Sequence, residues 1–510
     1  MVSGTLQIII PPHCDPSMPL LGACQLCGYA RSLGFESEVV DLSLELKAGE
    51  VNGLTRVDFE SHHKYWTTIR TLNEHFISRY TKTVPYASPT WDSAIIEAYK
   101  WNKFSDQARF LSECKECFSS FDFYIKQIES RHEADFYFVS MMFASQFLDG
   151  LLLCCAIRQV APRSKIVVGG GLITSLFKRQ DDVRGPLADL VDIISTGEGE
   201  FLIRFLARSA PDQLLKNRSS GRHPTGALLL DASFFRDDSK VYVPMPFFDS
   251  LGKYLTHRVV LPYRVCASCY WNKCAFCTDW LYRSALHNVS IEEHAQRICG
   301  LEKVSTGVMF QDSALSPRVL QRLATELMRG KCRLRWGINA RFDSQLTYDV
   351  LALARSSGCV FLRFGLESAS RSVLSSMRKG IDVDVARRII IDARKLGILT
   401  HVYCIVGYPG ETDEDRVETR RFLMDEIAYP DSFNVSLYIP YFAARSNFKG
   451  SICHVSNEGW DLYPPNGGDE SVKAFIDDLE ADFENAHPIF RTLISPAHTI
   501  GSYDLVMGWV

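Results

Sequence analysis

No stretch of this chain stays apolar for the roughly 18 residues that a membrane-spanning helix needs, although 46% of its 510 residues are hydrophobic. A bilayer-spanning role is therefore not expected. Excess positive charge is also lacking: 56 Lys and Arg stand against 60 Asp and Glu, a net charge of −4. Binding to phosphate backbones needs concentrated positive charge, so a nucleic-acid partner is not expected either. Met1–Ile10 has no basic stretch ahead of a long apolar core, so no secretory leader is expected and the cytosol is the expected compartment. There are no solenoid-type repeats and no low-complexity tracts. The length exceeds one ordinary domain and implies two or three.

In a reducing cytosol, sixteen cysteines are better read as ligands, catalytic groups or core residues than as disulfides. Most are scattered among apolar neighbours (Cys154, Cys155, Cys299, Cys359, Cys404), where a thiol packs as a small hydrophobe. The pair Cys114/Cys117 has no second pair or nearby His, and its spacing suits one face of a helix. Four other cysteines fall within the twelve residues Cys266–Cys277.

The pattern of the chain is α/β. Strand-like Leu6–Ile10, a helix over Leu20–Leu33 and a strand at Ser37–Val40 form a βαβ unit. After a helical, aromatic and charged insertion at about 48–130, the alternation resumes. It runs through Phe136–Ser140, a helix to about Val160, Lys165–Val168, Val191–Ile194 and a helix from Phe201. This predicts a doubly wound parallel sheet over residues 1–207. Residues 208–250, charged and broken by Gly and Pro, are expected to be a connector. Six β/α units follow over 251–450, with strands expected at Arg258–Leu261, Val308–Gln311, Arg335–Ile338, Phe361–Phe364, His401–Ile405 and Asn434–Tyr438. They predict a partial or full β/α barrel whose site lies at the C-terminal strand ends. Ser290 and Ser316-Pro317 are expected to start helices. Residues 451–510 form a C-terminal extension.

Four clustered cysteines suit a tetrahedral zinc or an iron–sulfur cluster. A structural zinc usually takes two pairs from opposite sides of a longer loop. Only four residues separate Cys269 from Cys274 here, which suits one loop wrapping a cluster. The run Cys269-Tyr-Trp-Asn-Lys-Cys274-Ala-Phe-Cys277 resembles the cluster loop of radical S-adenosylmethionine (SAM) enzymes. It is closest to a variant with four residues between the first two cysteines, found among members with an N-terminal cobalamin-binding domain. The resemblance implies that Cys269, Cys274 and Cys277 hold a 4Fe-4S cluster, leaving one iron open to chelate SAM. One electron then splits the sulfonium to give a 5′-deoxyadenosyl radical. Cys266, Cys274 and Cys277 form a longer-spaced alternative triad; Cys269 is favoured because Tyr270-Trp271 follows it.

Other stretches resemble the family in order. Gln311-Asp312-Ser313 occupies the place where the family binds the SAM amino group, without its usual glycines. Phe364-Gly365-Leu366-Glu367-Ser368 resembles the Gly-x-Glu-Ser signature, implying that Glu367 and Ser368 contact SAM. In Val406-Gly407-Tyr408-Pro409-Gly410-Glu411-Thr412, Gly407 is implied to lie near the adenine, and Thr412 is expected to cap the next helix. Phe276 is also implied near the adenine, and Asn339 and Arg341 near SAM or substrate.

Residues 1–207 resemble the cobalamin-binding domain that precedes many such barrels, through Pro19–Gly22, Leu33–Leu42, Val167–Gly171 and Thr196–Glu200. Pro12, His13, Ser140 and the loop Gly169, Gly170, Gly171 are the implied contacts. The Asp-x-His-x-x-Gly signature is absent, and His13-Cys14-Asp15 stands in its loop. The resemblance implies cobalamin-dependent methylation of an unactivated carbon in a small-molecule or peptide substrate. An electron donor such as flavodoxin or ferredoxin is implied as partner. A non-methylating rearrangement, ring closure or crosslink is the enzymatic alternative, and a zinc- or cluster-stapled binding protein the non-catalytic one.

Overall fold

The computed structural model describes residues 4–12, 18–45, 121–142, 146–177, 190–208, 228–231, 244–254, 259–266, 268–279, 289–425, 427–438 and short pieces within 455–480. These divide into two compact units. The first holds the described residues up to Tyr254 and a small hairpin at 455–460; the second holds those from 259 to 438 and those within 474–479. Among the described residues no helix is long and apolar enough to cross a membrane.

The first unit is a six-stranded, wholly parallel sheet. Its strands are β1 (Thr5–Ile10), β2 (Glu36–Asp41), β3 (Phe136–Ser140), β4 (Lys165–Gly169), β5 (Ile193–Thr196) and β6 (Leu228–Asp231), in the order β2-β1-β3-β4-β5-β6. The central strand β1 is buried on both faces through Ile8, Ile9 and Ile10, as a parallel sheet covered by helices requires. Those helices include α1 (Leu21–Ser32), α2 (Phe121–Glu129), α3 (Phe147–Val160), α4 (Gly171–Phe177) and α5 (Gly199–Arg208). Two expectations change here. The end of the insertion is the helix α2, which buries Phe121, Tyr124 and Ile128 in the core. The expected connector supplies β6, and its next stretch docks on the same unit: the Phe247 amide donates to the Cys24 carbonyl at 2.9 Å, and Arg31 stacks over the Phe247 ring at 3.6 Å. A Gly- and Pro-rich composition marked breaks in the chain but not which side they pack on.

The second unit is a six-stranded parallel sheet in simple sequence order, β7 to β12. Its strands are β7 (Val260–Tyr263), β8 (Gly307–Phe310), β9 (Arg335–Ala340), β10 (Cys359–Glu367), β11 (Leu399–Val406) and β12 (Ser432–Leu437). Intervening helices are α6 (Ile291–Gly300), α7 (Pro317–Arg329), α8 (Tyr348–Ser356), α9 (Arg371–Ser376), α10 (Val383–Lys395) and α11 (Asp413–Leu423). This is the expected partial barrel. The start signals hold: Ser290 accepts from the Glu293 amide, Ser316 caps α7 with Pro317 in its first turn, and Thr412 forms a capping box with Asp415. In α10 the buried face is Ala386, Ile389, Ile390 and Ala393, the i, i+3, i+4, i+7 spacing of an amphipathic helix. Each buried Ile contributes roughly 1.5–3 kcal/mol.

Of the scattered cysteines, Cys154, Cys155, Cys359 and Cys404 are buried as expected. Cys299 is not: it is partly exposed and its thiol hydrogen-bonds that of Cys332. The end of α6 lies at the barrel surface, which local apolar sequence does not reveal.

Candidate active site

The cysteine loop leaves β7 at Tyr263 and is held from three sides. Asp312, just past β8, is buried, and both its carboxylate oxygens accept from the Val265 amide at 3.1 Å. One of them also accepts from the Cys266 amide at 2.5 Å. Burial pushes its carboxyl up to about 6, against the pull of these amides. The Asp312 carboxylate thus anchors the root of the loop, while its neighbour Ser313 donates to Asp279. Asp279 in turn accepts from the Cys269 amide at 2.7 Å and closes the far end of the loop.

The third side is the segment after α9. The Ala275 amide donates to the Met377 carbonyl at 2.8 Å, and the Trp271 indole donates to the Arg378 carbonyl at 3.1 Å. Trp271 lies so close to Gly380 that a Cβ there would sit 2.2 Å from the ring, and Gly380 has φ +62°. Only glycine takes both the left-handed backbone and the contact. Arg341, at the end of β9, stacks over Trp271 at 4.4 Å and donates to the Lys379 carbonyl at 2.6 Å.

Lys379 reaches into the site. Its ammonium pairs with Glu367 Oε1 at 2.6 Å, both side chains nearly fully buried, and lies 5.7 Å from the Phe276 ring. Glu367 adopts φ +71° at the end of β10, a strained backbone of the kind that concentrates at functional sites. Gly365 leaves the room: a Cβ there would fall 2.5 Å from the Glu367 carboxylate and 2.9 Å from the ammonium.

Thiol electrostatics differ around the loop. Burial pushes Cys274 up, and the Lys379 and Arg341 cations pull it back. Cys277 is pushed up to about 11 chiefly by burial, with Lys379 again opposing. Cys266 also lies at about 11, raised by burial and further by the Asp312 carboxylate. The two cations thus favour a thiolate at Cys274, while the Asp279 carboxylate raises Cys277 as the Asp312 carboxylate raises Cys266. Among the described residues no three His, Cys, Asp or Glu side chains converge as ligands of a single metal ion do. A cubane does not ask for that, since each thiolate binds a different iron. Cys269, Cys274 and Cys277, on one short loop, are a suitable donor set for it.

The other expected residues make the following contacts. Ser368 is fully buried and its hydroxyl lies 3.2 Å from that of Thr419 on α11. Gly407 has φ +77° and donates its amide to the Glu411 carboxylate at 2.5 Å. Phe276 packs against Val373, Met377 and Tyr408. Asn339 donates to the Asp312 carbonyl at 2.8 Å, while Gln311 lies at the end of β8. Lys379, Gly380 and Asp279 carry no signal in the sequence that separates them from ordinary loop residues.

In the first unit, the sheet order reverses between β1 and β3, where a doubly wound sheet opens its ligand crevice. Gln146 ties the two strand ends together: its Nε2 donates to the Pro11 carbonyl at 3.0 Å and its Oε1 accepts from the Met142 amide at 2.8 Å. Pro12 follows β1, Ser140 ends β3, and Gly169 ends β4. Gly170, expected to let a ligand approach, has φ +103°, and a Cβ there would lie 2.4 Å from the Met141 carbonyl oxygen. The glycine is required by the close approach of the Met141 backbone, just past β3. Gly171 donates to the Met142 sulfur at 3.2 Å. His13 lies outside the described residues, as do Cys114 and Cys117.

Residues 263–423 match the model of the Radical SAM superfamily. The chain is 26% identical over 221 residues to bacteriochlorophyllide d C-12(1)-methyltransferase of Chlorobaculum tepidum, covering 40% of this chain and 47% of that protein. The chain spans about half the length of the curated methyltransferases it matches. Its fold is that of the radical SAM methyltransferase TsrM from Kitasatospora setae, solved with cobalamin and a [4Fe-4S] cluster (TM-score 0.58, 15% identity, 88% of this chain and 78% of that one). It also matches the cobalamin-dependent SAM radical enzyme OxsB (TM-score 0.53, 16% identity, 84% and 52% covered). Residues 263–423 thus match a radical SAM domain, and the fold of the chain is shared with these two solved structures.

Proposed function

We propose that this chain, a radical SAM protein by its domain at residues 263–423, is a cobalamin-dependent methyltransferase acting on an unactivated carbon of a small-molecule or peptide substrate. The observation that carries the reading is the cysteine loop at the mouth of β7, held by Asp312, Asp279 and the 377–380 segment with buried Lys379 against it. Cys269, Cys274 and Cys277 would hold a 4Fe-4S cluster, and Pro12, Ser140, Met142 and the Gly169–Gly171 loop would contact cobalamin. When bound, the cluster supplies the electron that cleaves SAM, and cobalamin supplies the methyl group.

This chain's own residues prepare that chemistry. Asp312 and Asp279 fix the two ends of the loop through backbone amides, so the thiols are set before the cluster arrives. Trp271, seated on Gly380 and under Arg341, shields one flank of the loop. Glu367 and Lys379 present a carboxylate and an ammonium side by side, a pair able to exchange partners with the ribose hydroxyls and the carboxylate of SAM. Gln146 ties the ends of β1 and β3 together where the sheet order reverses. An electron donor such as flavodoxin or ferredoxin completes the system.

The test is metal content after anaerobic purification from cells supplied with cobalamin. About four irons and one cobalt per chain, with 5′-deoxyadenosine formed on reduction with SAM, are expected. Four irons without cobalt would leave a radical enzyme that does not methylate, and zinc in place of iron would refute both.

A further inference from the structure

Inside the second unit, Asn339 on β9, Arg363 on β10, His401 on β11 and Ser432 on β12 stand in one continuous register row. Residues directly opposite in a sheet share a face, and neighbours along a strand take opposite faces. The helix-facing side is identified by Trp336 of β9, whose indole donates to the Ser357 carbonyl at the end of α8 at 2.9 Å. Asn339 is three residues along and so faces the barrel interior, as does the rest of the row. The next interior row toward the strand C-termini is Gly365, Tyr403 and Asn434.

Such layers in β/α barrels are usually filled by Val, Ile and Leu. Here Arg363 is 8% exposed, His401 3%, Ser432 4% and Asn434 4%. His401 Nδ1 lies 2.8 Å from the Ser432 hydroxyl, and its Nε2 is buried with no hydrogen-bond partner. Burial, with Arg363 nearby, pushes this imidazole down to about 3, so it is neutral. In the tautomer whose Nδ1 accepts from the Ser432 hydroxyl, Nε2 carries a hydrogen to donate. Tyr403 stacks edge-on against His401 at 4.5 Å, and its hydroxyl lies 3.4 Å from Arg363 Nη1. Gly365, opposite Tyr403, contributes no side chain to the row above, and the Glu367–Lys379 pair occupies the room it leaves. A cation, a neutral imidazole and a phenol thus converge below the mouth that holds the cysteine loop. A buried polar atom without a partner costs free energy unless something binds it.

We infer that this row is an anion subsite: the substrate carries a carboxylate that docks on the Arg363 guanidinium, with His401 Nε2 and the Tyr403 hydroxyl as further donors. One guanidinium with neutral donors suits a monoanion better than a phosphate dianion. The inference rests on the proposed reading in that it places the substrate in the barrel interior.

The test follows the thermal midpoint of the reconstituted full chain with acetate, benzoate and phenylacetate, each against its neutral amide at fixed ionic strength, with inorganic phosphate as a further arm. At ten times its dissociation constant at least one acid should raise the midpoint by about 2 °C where its amide does not. Arg363→Gln should abolish that difference and Arg363→Lys should keep most of it. His401→Asn and Tyr403→Phe, which keep the cation, should each weaken binding about five- to tenfold, and they carry the test if Arg363→Gln does not fold. If no acid outperforms its amide, if phosphate alone stabilises, or if Arg363→Gln leaves the difference intact, the subsite is refuted. Reductive SAM cleavage is measured on the same sample. Cleavage without acid binding refutes the subsite alone, while acid binding without cleavage refutes the radical reading and leaves the subsite standing.

Discussion

Replacing Lys379 by Met should destabilise the second unit by about 3–5 kcal/mol, because it leaves the Glu367 carboxylate charged, buried and unpaired. The magnitude follows from the geometry. At 2.6 Å and an effective dielectric near 20, the Coulomb attraction is about 6 kcal/mol before desolvation is charged against it. Side-chain exposures of 8% and 10% leave little water to replace the lost partner. Urea unfolding of the cluster-free chain, followed by tryptophan fluorescence, reads the transition to which Trp271 and Trp336 report. With a slope of about 3 kcal/mol per molar, the midpoint should fall by about 1–2 M. The double variant Lys379→Met/Glu367→Leu should recover most of the loss, since an apolar pair removes both desolvation penalties. A drop below about 1 kcal/mol in the single variant would refute the reasoning, because it would mean that water reaches the pair and the buried charge is not held by Lys379.

Three further outcomes are expected. Cys274→Ala should lose the iron and all SAM cleavage, whereas Cys266→Ala should keep most of its iron, both read by iron and sulfide analysis; the reverse pattern would transfer the first ligand to Cys266. Gly380→Ala adds about 1 kcal/mol of left-handed backbone cost and must displace Trp271, so reconstituted iron content should fall while the helical circular dichroism stays. Acid stability tests Asp312, whose folded carboxyl lies at about 6 and therefore contributes stability below about pH 4 that is lost as pH rises through 6. His294 and His401, held at about 4 and 3, act in the opposite sense and lose stability as pH falls from 6.5. Each contributes about 1.4 kcal/mol per pH unit between pH 4 and 6, so Asp312→Asn should about double the net acid slope of these three groups, measured by urea midpoints at pH 4.5, 5 and 5.5.

Strand positions in both units were legible because period and composition act locally. The Ile8–Ile10 run could only be a central parallel strand, and Ser316-Pro317 and Thr412 could only start helices cleanly. The cysteine loop was legible too, since its four cysteines lie on one short segment. Sequence also singled out Glu367 through its resemblance to the Gly-x-Glu-Ser signature, and the structure pairs it with Lys379 at the end of β10. Beyond that reach, the tertiary structure decides. Lys379 becomes a site residue only because α9 ends where its next turn meets the cysteine loop. Asp312, expected at SAM, is taken up by the amides of Val265 and Cys266, since a buried carboxylate binds whichever donors its fold presents. Gly170 serves Met141, and Ser368 serves Thr419. The polar row of Asn339, Arg363, His401 and Ser432 is spread over nearly a hundred residues of chain. No local period joins such residues; the register of four parallel strands does.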